Sequence, residues 1–200
     1  MTLTGTDGRA LKAKGLETRR RLLDASERVF GELGFYDASI VKITEAAGVA
    51  QGTFYLYFAS KQEVFEELVR DLNARVRHAM QAGAARGRDR IEAERLGFRA
   101  YFQFTAEHPA LYRIIRQAEF VSPETLRFHY EKITEGYVEG LREAMARGEV
   151  AQGDPEVLAW ALMAAGEMLG MRWLLWNGRG EMPADVLTEL DNLLVRMLAP

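Results

Sequence analysis

Apolar positions recur along this chain at spacings of three and four, and no stretch alternates with period two between turn residues. The pattern therefore predicts helices throughout and no strands. The first helix is expected over 17–33, with Leu22, Ser26, Val29, Phe30 and Leu33 on one face and Gly34 as its stop. A short helix fits 40–47, capped by Ser39 and broken at Gly48-Val49, and another fits 51–58. Ser60 and Glu63 form a capping box that opens a longer helix over 61–82. After a loop-like stretch over 83–90, helices are expected over 91–107, 110–120, 123–147, 155–176 and 183–198. His108-Pro109 ends one of them, and Ser122-Pro123 and Asp154-Pro155 open two others as caps followed by proline. The fold class expected is all-α with about nine helices. A three-helix helix-turn-helix domain is expected over 1–60, with the motif at about 39–58 and a larger helical domain over 61–200.

Two helices of about eight residues cannot fold alone in water, because nucleation is too costly. Ile40, Ile43, Ala47, Val49, Phe54 and Phe58 supply a core to share with Leu22, Val29 and Phe30 of the preceding helix. Gly48 stands where a helix-turn-helix needs a residue tolerant of positive φ. This packing turns Gln51, Gly52, Thr53, Tyr55 and Tyr57 outward. Gly52 allows close backbone approach to a duplex, Gln51 and Thr53 can meet base edges, and the tyrosines can donate to phosphates. Lys61 adds a cation at the start of the next helix, whose N-terminal dipole favours an anion. Ser39 and Thr44, on the first short helix, complete the candidate DNA-binding set.

Charge sharpens this picture. The net charge is -3, yet residues 1–61 hold nine Lys/Arg against seven acids, leaving 17 basic and 22 acidic residues beyond. Six of the nine fall within 9–21, a basic arm of the kind that meets phosphates. With 48% hydrophobic and 28% charged residues the composition is that of a globular chain, and no run approaches ~20 apolar residues, so no spanning helix is expected. The N-terminus lacks the apolar stretch of a secretory signal, which leaves the cytoplasm as the expected location. Without cysteine there is no disulfide, zinc finger or thiol nucleophile. His78, His108 and His129 lack metal-ligand spacing and no glycine-rich phosphate loop follows a strand. No cofactor, metal or catalytic residue is therefore expected. A helical enzyme and an architectural DNA-binding protein without an effector are the competing readings.

The segment ITEAAGVAQGTFYLYFASKQEVF (43–65) closely resembles the DNA-binding signature of TetR-type repressors, and TRRRLLDASERVFGELGFYDASI before it resembles that family's first helix and turn. The resemblance covers roughly 16–68 and implies DNA contacts at Ser39, Gln51, Gly52, Thr53, Tyr55, Tyr57 and Lys61. Two positions depart from the pattern: Ala50 stands where serine is usual as N-cap, at a cost of about 1 kcal/mol, and Gln51 where lysine is frequent. The resemblance further implies a homodimer on a palindromic operator, with recognition helices roughly 34–36 Å apart, and a C-terminal effector pocket and dimer interface. For the pocket, Phe98, Phe102, Tyr112, Ile115, Phe120, Phe128, Trp160 and Met163 are the candidate walls, with arginines such as Arg86, Arg90 and Arg116 near its mouth. An apolar effector with an anionic head, such as a fatty acyl-CoA, suits that mixture. For the interface, Ala161, Ala165, Leu187, Leu190 and Leu194 on the last two helices are the candidates, and Gly166 and Gly170 are expected to allow close helix approach there.

Overall fold

In the computed structural model, which describes residues 4–178 and 180–200, the described residues form nine α-helices. These are α1 (Ala13–Asp37), α2 (Ile40–Ala47), α3 (Gln51–Phe54), α4 (Lys61–Ala84), α5 (Arg90–Glu107), α6 (Leu111–Val121), α7 (Pro123–Ala146), α8 (Pro155–Gly170) and α9 (Ala184–Leu198). A π-helical stretch, Met171–Trp176, continues α8. No strand occurs among the described residues, as the period of the apolar pattern requires.

The ends of these helices follow from local chemistry. Ser39 Oγ accepts from Lys42 N, Asp89 from Glu92 N, and Asp154 from Glu156 N and Val157 N, each satisfying first-turn donors that have no partner within their helix. Gly34 has φ 78° and interrupts α1, but helix resumes for one turn, so the expected stop is a kink. Gly48 has φ 63° and ends α2 in the left-handed region, as a sharp helix-to-helix turn demands. The expected helix over 51–58 is shorter than its pattern suggested: α3 ends at Phe54, and tight turns complete the segment through Tyr57 N→Phe54 O (2.9 Å) and Leu56 N→Thr53 O (3.2 Å).

The chain divides into two compact units. One holds the chain up to Leu72 together with Ala110–Arg127; the other holds Asn73–Pro109 and Phe128–Pro200. The chain thus passes between units within α4, at Pro109-Ala110 and within α7, and the first unit recruits α6 rather than ending at residue 60. The cause is the apolar face of α6, since Leu111, Tyr112, Ile114, Ile115 and Ala118 are buried and the helix packs on α1. Leu22, Phe30, Ile43, Phe54, Phe58 and Phe65 are fully buried in the same unit. The rings of Phe30, Phe35 and Phe65 meet at 5.2–5.8 Å between centroids.

The second unit has its own core, from Phe98 and Phe102 of α5, Leu141 of α7, Leu162 of α8, and Leu190, Leu194 and Leu198 of α9. Asp191 ties α9 to α5 through a two-pronged bond to Arg99 (2.7 and 3.0 Å). One expectation for this unit is corrected. Gly166 does permit close approach, but to Phe98 of the same chain: a Cβ there would lie 2.8 Å from that ring. The continuous helix Pro155–Trp176 is 22 residues long and contains an 18-residue window of mean hydropathy 1.2, enough by length and composition alone to cross a membrane, although Glu156, Glu167 and Arg172 break it so that no run of ~20 apolar residues occurs. It nonetheless buries Ala159, Leu162, Gly166 and Leu174 within the unit, and its Glu167 accepts a bond from the Tyr130 hydroxyl (3.0 Å).

Candidate nucleic-acid interface and effector cleft

The helix-turn-helix is positioned by buried rings and backbone closure. Phe54 and Phe58 are buried with ring centroids 5.6 Å apart, anchoring both ends of the α3 segment. Gly48 N→Glu45 O (3.0 Å) and Val49 N→Thr44 O (3.0 Å) fix the turn ahead of it. Ala50, at the N-cap of α3, contributes no side-chain bond. Between these anchors Gln51 and Gly52 are exposed, Tyr55 is 45% exposed, and Thr53 and Tyr57 are half-buried. Open space surrounds Gly52, with no atom near where its Cβ would sit. One small surface therefore gathers an amide, a hydroxyl, two phenols and accessible backbone, the groups that read base edges and hold phosphates.

Three candidates from the first short helix and α4 take structural positions. Thr44 is buried and its hydroxyl donates to Val41 O (2.9 Å); its spacing from Ile43 and Ala47 puts it on the core side of α2. Ser39 is engaged as the cap of α2. Lys61 Nζ donates to Phe35 O (2.7 Å) and Ala38 O (2.9 Å), and lies 4.5 Å from the centre of the Phe35 ring. It closes the free carbonyls at the end of α1, a use that its charge alone does not reveal.

The same holds for half of the basic arm. Arg19 pairs with Glu67 (2.7 Å), Arg20 with Asp24 and Asp71, and Arg21 donates to Ala47 O (2.6 Å) at the end of α2. Arg28 donates to Ala46 O (3.0 Å) and Lys42 to Asp37 O (3.2 Å). Of the nine cations in residues 1–61, Arg9, Lys12 and Lys14 have no such engagement among the described residues, apart from a long Arg9–Asp7 pair (3.6 Å) on the surface.

In the second unit α4, α5 and α7 enclose a cleft of about 620 Å³. Met80 and Ile133 give it apolar walls, and Arg77, Arg90, Glu94, Lys132 and Tyr137 give it polar ones. Glu94 is buried and paired with Arg90; burial pushes its carboxyl above the usual range, and the Arg90 charge opposes that shift. Burial, and then the Glu94 charge, raises the Tyr137 phenol as well.

None of the eight aromatic and apolar residues expected to wall a pocket lines this cleft. Phe98 and Phe102 are core; Phe128 and Met163 are half-buried; Trp160 is 40% exposed and faces Tyr130. Tyr112 and Ile115 are buried in the other unit, and Phe120 is 76% exposed. Space opens instead where small residues line the facing helices, Ala84 and Ala85 against Ala93, Gly97 and Gly136. The available signal was Glu94, a carboxylate on the same helical stripe as Ile91 and Phe98.

Among the interface candidates, Ala161 is exposed and Ala165 and Leu187 are half-buried, but Leu190 and Leu194 are buried in the subunit's own core. The apolar residues that α8, the π-helical stretch and α9 leave outward are Val157, Trp160, Met168, Trp176, Leu193 and Met197.

Residues 22–68 match the family described as bacterial regulatory proteins, tetR family. Over 195 residues, 95% of this chain and 97% of the other, the sequence is 31% identical to the HTH-type transcriptional regulator YdgC of Bacillus subtilis (strain 168). Among solved structures, the fatty acid degradation regulator FadR from Bacillus halodurans superposes with a TM-score of 0.80 at 20% identity, covering 93% of this chain and 96% of that one. FadR from Bacillus subtilis, solved in complex with stearoyl-CoA, gives a TM-score of 0.78 at 20% identity, covering 88% and 97%.

Proposed function

This chain belongs to the TetR family of bacterial transcriptional regulators, and from that premise we propose that it is a cytoplasmic, effector-responsive repressor that binds a palindromic operator as a homodimer. The observation that carries the reading is the division within the α3 segment, where Phe54 and Phe58 are buried while Gln51, Gly52, Tyr55 and part of Tyr57 face outward. Gln51 and Thr53 address base edges in the major groove; Tyr55 and Tyr57 hold the flanking phosphates. The exposed apolar residues of α8, the π-helical stretch and α9 pair with their symmetry equivalents, which covers a patch too apolar to leave in water. The test is a gel shift of the purified protein against the DNA upstream of its own gene, at low and high salt, beside Gln51→Ala and Tyr57→Ala. A specific, salt-sensitive shift weakened in both variants supports the reading. Its absence at low salt, on that DNA and on a selected random pool, overturns it.

For the effector we propose an amphipathic acyl compound, a fatty acyl-CoA, held in the cleft of the second unit. Its support is the mixture of Met80 and Ile133 with Arg77, Arg90 and Lys132 in a cleft of about 620 Å³, within the range of small-molecule sites. The likeness in fold to a FadR solved with stearoyl-CoA points the same way. The effector acts through α4, along which the chain passes from the reading unit to the other. It releases DNA only by binding the non-reading conformation more tightly, since equal affinity for both shifts nothing. Titration with palmitoyl-CoA should raise the melting temperature and release operator; if neither changes, this effector class is wrong while the DNA-binding reading stands.

A further inference from the structure

We propose that residues 4–14 form a second DNA-contacting element, a pinned arm that holds Arg9, Lys12 and Lys14 against the phosphates beside the groove read by α3. This rests on the repressor reading and adds to it a sequence-blind contact outside the helix-turn-helix.

The arm is ordered by its own hydrogen bonds. Gly5 N donates to Arg9 O (2.9 Å), Gly8 N to Gly5 O (3.0 Å), and Arg9 N to the Asp7 carboxylate (3.0 Å). The resulting turn is fastened to the recognition segment. Thr6 N donates to Leu56 O (3.0 Å) and Thr6 Oγ1 to Tyr55 O (2.8 Å). The approach here is so close that a Cβ on Gly5 would lie 2.9 Å from Leu56 O. Further along, a Cβ on Gly15 would lie 3.7 Å from the Tyr57 hydroxyl, so the start of α1 adjoins a proposed phosphate donor. Arm and recognition segment therefore share one surface.

The charges argue for what the arm touches. Six of the nine cations in residues 1–61 are held by ion pairs to other helices or by helix-end carbonyls; the other three all lie on this arm, where, among the described residues, Arg9 makes only a long surface pair with Asp7 (3.6 Å). Arg9 has 89% of its side chain exposed, and Lys12 and Lys14 are exposed with no ion partner among the described residues. Three exposed cations on a backbone fixed to the reading helix match a line of phosphates, and they carry no information about bases.

The experiment measures operator affinity of the full-length protein over a range of salt concentrations, using a site selected from a random pool. It compares wild type with R9Q/K12Q/K14Q and with T6V, which keeps the charges but removes one fastening bond. The slope of log affinity against log salt should fall by about 0.9 for each phosphate that is no longer neutralised, thus by about 2–3 per protomer in the triple variant. Its affinity near physiological salt should drop by roughly 10-fold or more, with the preference for operator over unrelated DNA and the melting temperature unchanged. T6V should weaken binding several-fold with all cations retained. An unchanged slope in the triple variant, with wild type binding its site, overturns the arm and leaves the repressor intact. A wild type that selects no sequence overturns the repressor reading and the arm with it.

Discussion

The hydrogen-bond chain at His129 fixes a protonation state, and through it a pH dependence. Arg77 can only donate, so the Asn73 amide must turn its oxygen to Arg77 Nε (2.9 Å) and its NH2 towards His129. That NH2 donates to the His129 carbonyl (2.9 Å) and lies 3.2 Å from His129 Nδ1. Nδ1 must therefore accept, and a proton there would set N–H against N–H in a buried site. Burial first, and then the Arg77 charge, draws the imidazole from 6.5 down to about 4. In the unfolded chain it returns to about 6.5, so below that pH the unfolded state takes up a proton that the folded state refuses. The contribution is fully present above about pH 6.5 and is lost as pH falls towards 4. With those two values, stability at about pH 5 should lie about 2 kcal/mol below that at about pH 7.5, and the loss should approach about 3 kcal/mol below pH 4.

Urea unfolding of wild type and His129→Gln at both pH values isolates this contribution, because glutamine does not titrate and can still accept from Asn73. The difference between the two proteins in their pH-induced loss should be about 2 kcal/mol. Arg77→Met should shrink the wild-type loss in part, since the Arg77 charge that opposes the imidazolium is removed while burial persists. Direct titration of the imidazole by NMR supplies the folded value. Equal losses in wild type and His129→Gln, or a folded His129 that titrates near 6.5, would refute the reasoning.

Three further outcomes are expected. Gly48→Ala forces a side chain into φ 63° with its Cβ 3.3 Å from the Arg21 guanidinium, and should cost about 1–2 kcal/mol in urea unfolding and weaken operator binding. Lys61→Met removes two charged bonds to the carbonyls at the end of α1 and should cost about 2 kcal/mol; a variant of wild-type stability that binds DNA poorly would place Lys61 on a phosphate instead. Leu190→Ala should cost roughly 2–5 kcal/mol by opening a cavity in the core, whereas Leu193→Glu, at a position 46% exposed, should leave folding intact and shift sedimentation from dimer to monomer.

Legibility divided along a physical line. Caps, glycines and the three-four spacing act within a few residues, so Ser39, Gly48 and Asp154 end or open helices in the structure as their types dictate. Partner choice acts over long separations and leaves no local trace. Arg19 reaches Glu67 and Lys61 reaches Phe35, so a count of cations overstated those free to meet DNA. Cavities were the least legible, because an empty volume is set by what the facing helices lack. Of the rings that suggested a pocket, Phe98, Phe102 and Tyr112 fill core space and Phe120 is exposed, while the cleft opened at Ala84, Ala93 and Gly97.

The run Phe54-Tyr55-Leu56-Tyr57-Phe58 shows how a surface element can stand on a helix too short to fold by itself. Four residues of α3 make no cooperative helix, so the segment owes its shape to tertiary contacts. Two of its five side chains are fully withdrawn, Phe54 against Phe58 at 5.6 Å, with Arg19 lying 5.1 Å above the Phe58 ring. The turn bonds from Leu56, Tyr57 and Phe58 back to Thr53 and Phe54 then leave little freedom to the residues between. Because the anchoring is done by side chains that face the core, the outward residues Gln51, Thr53, Tyr55 and Tyr57 are constrained in position but free in identity. Substitution at the outward positions can then leave the fold that presents them undisturbed.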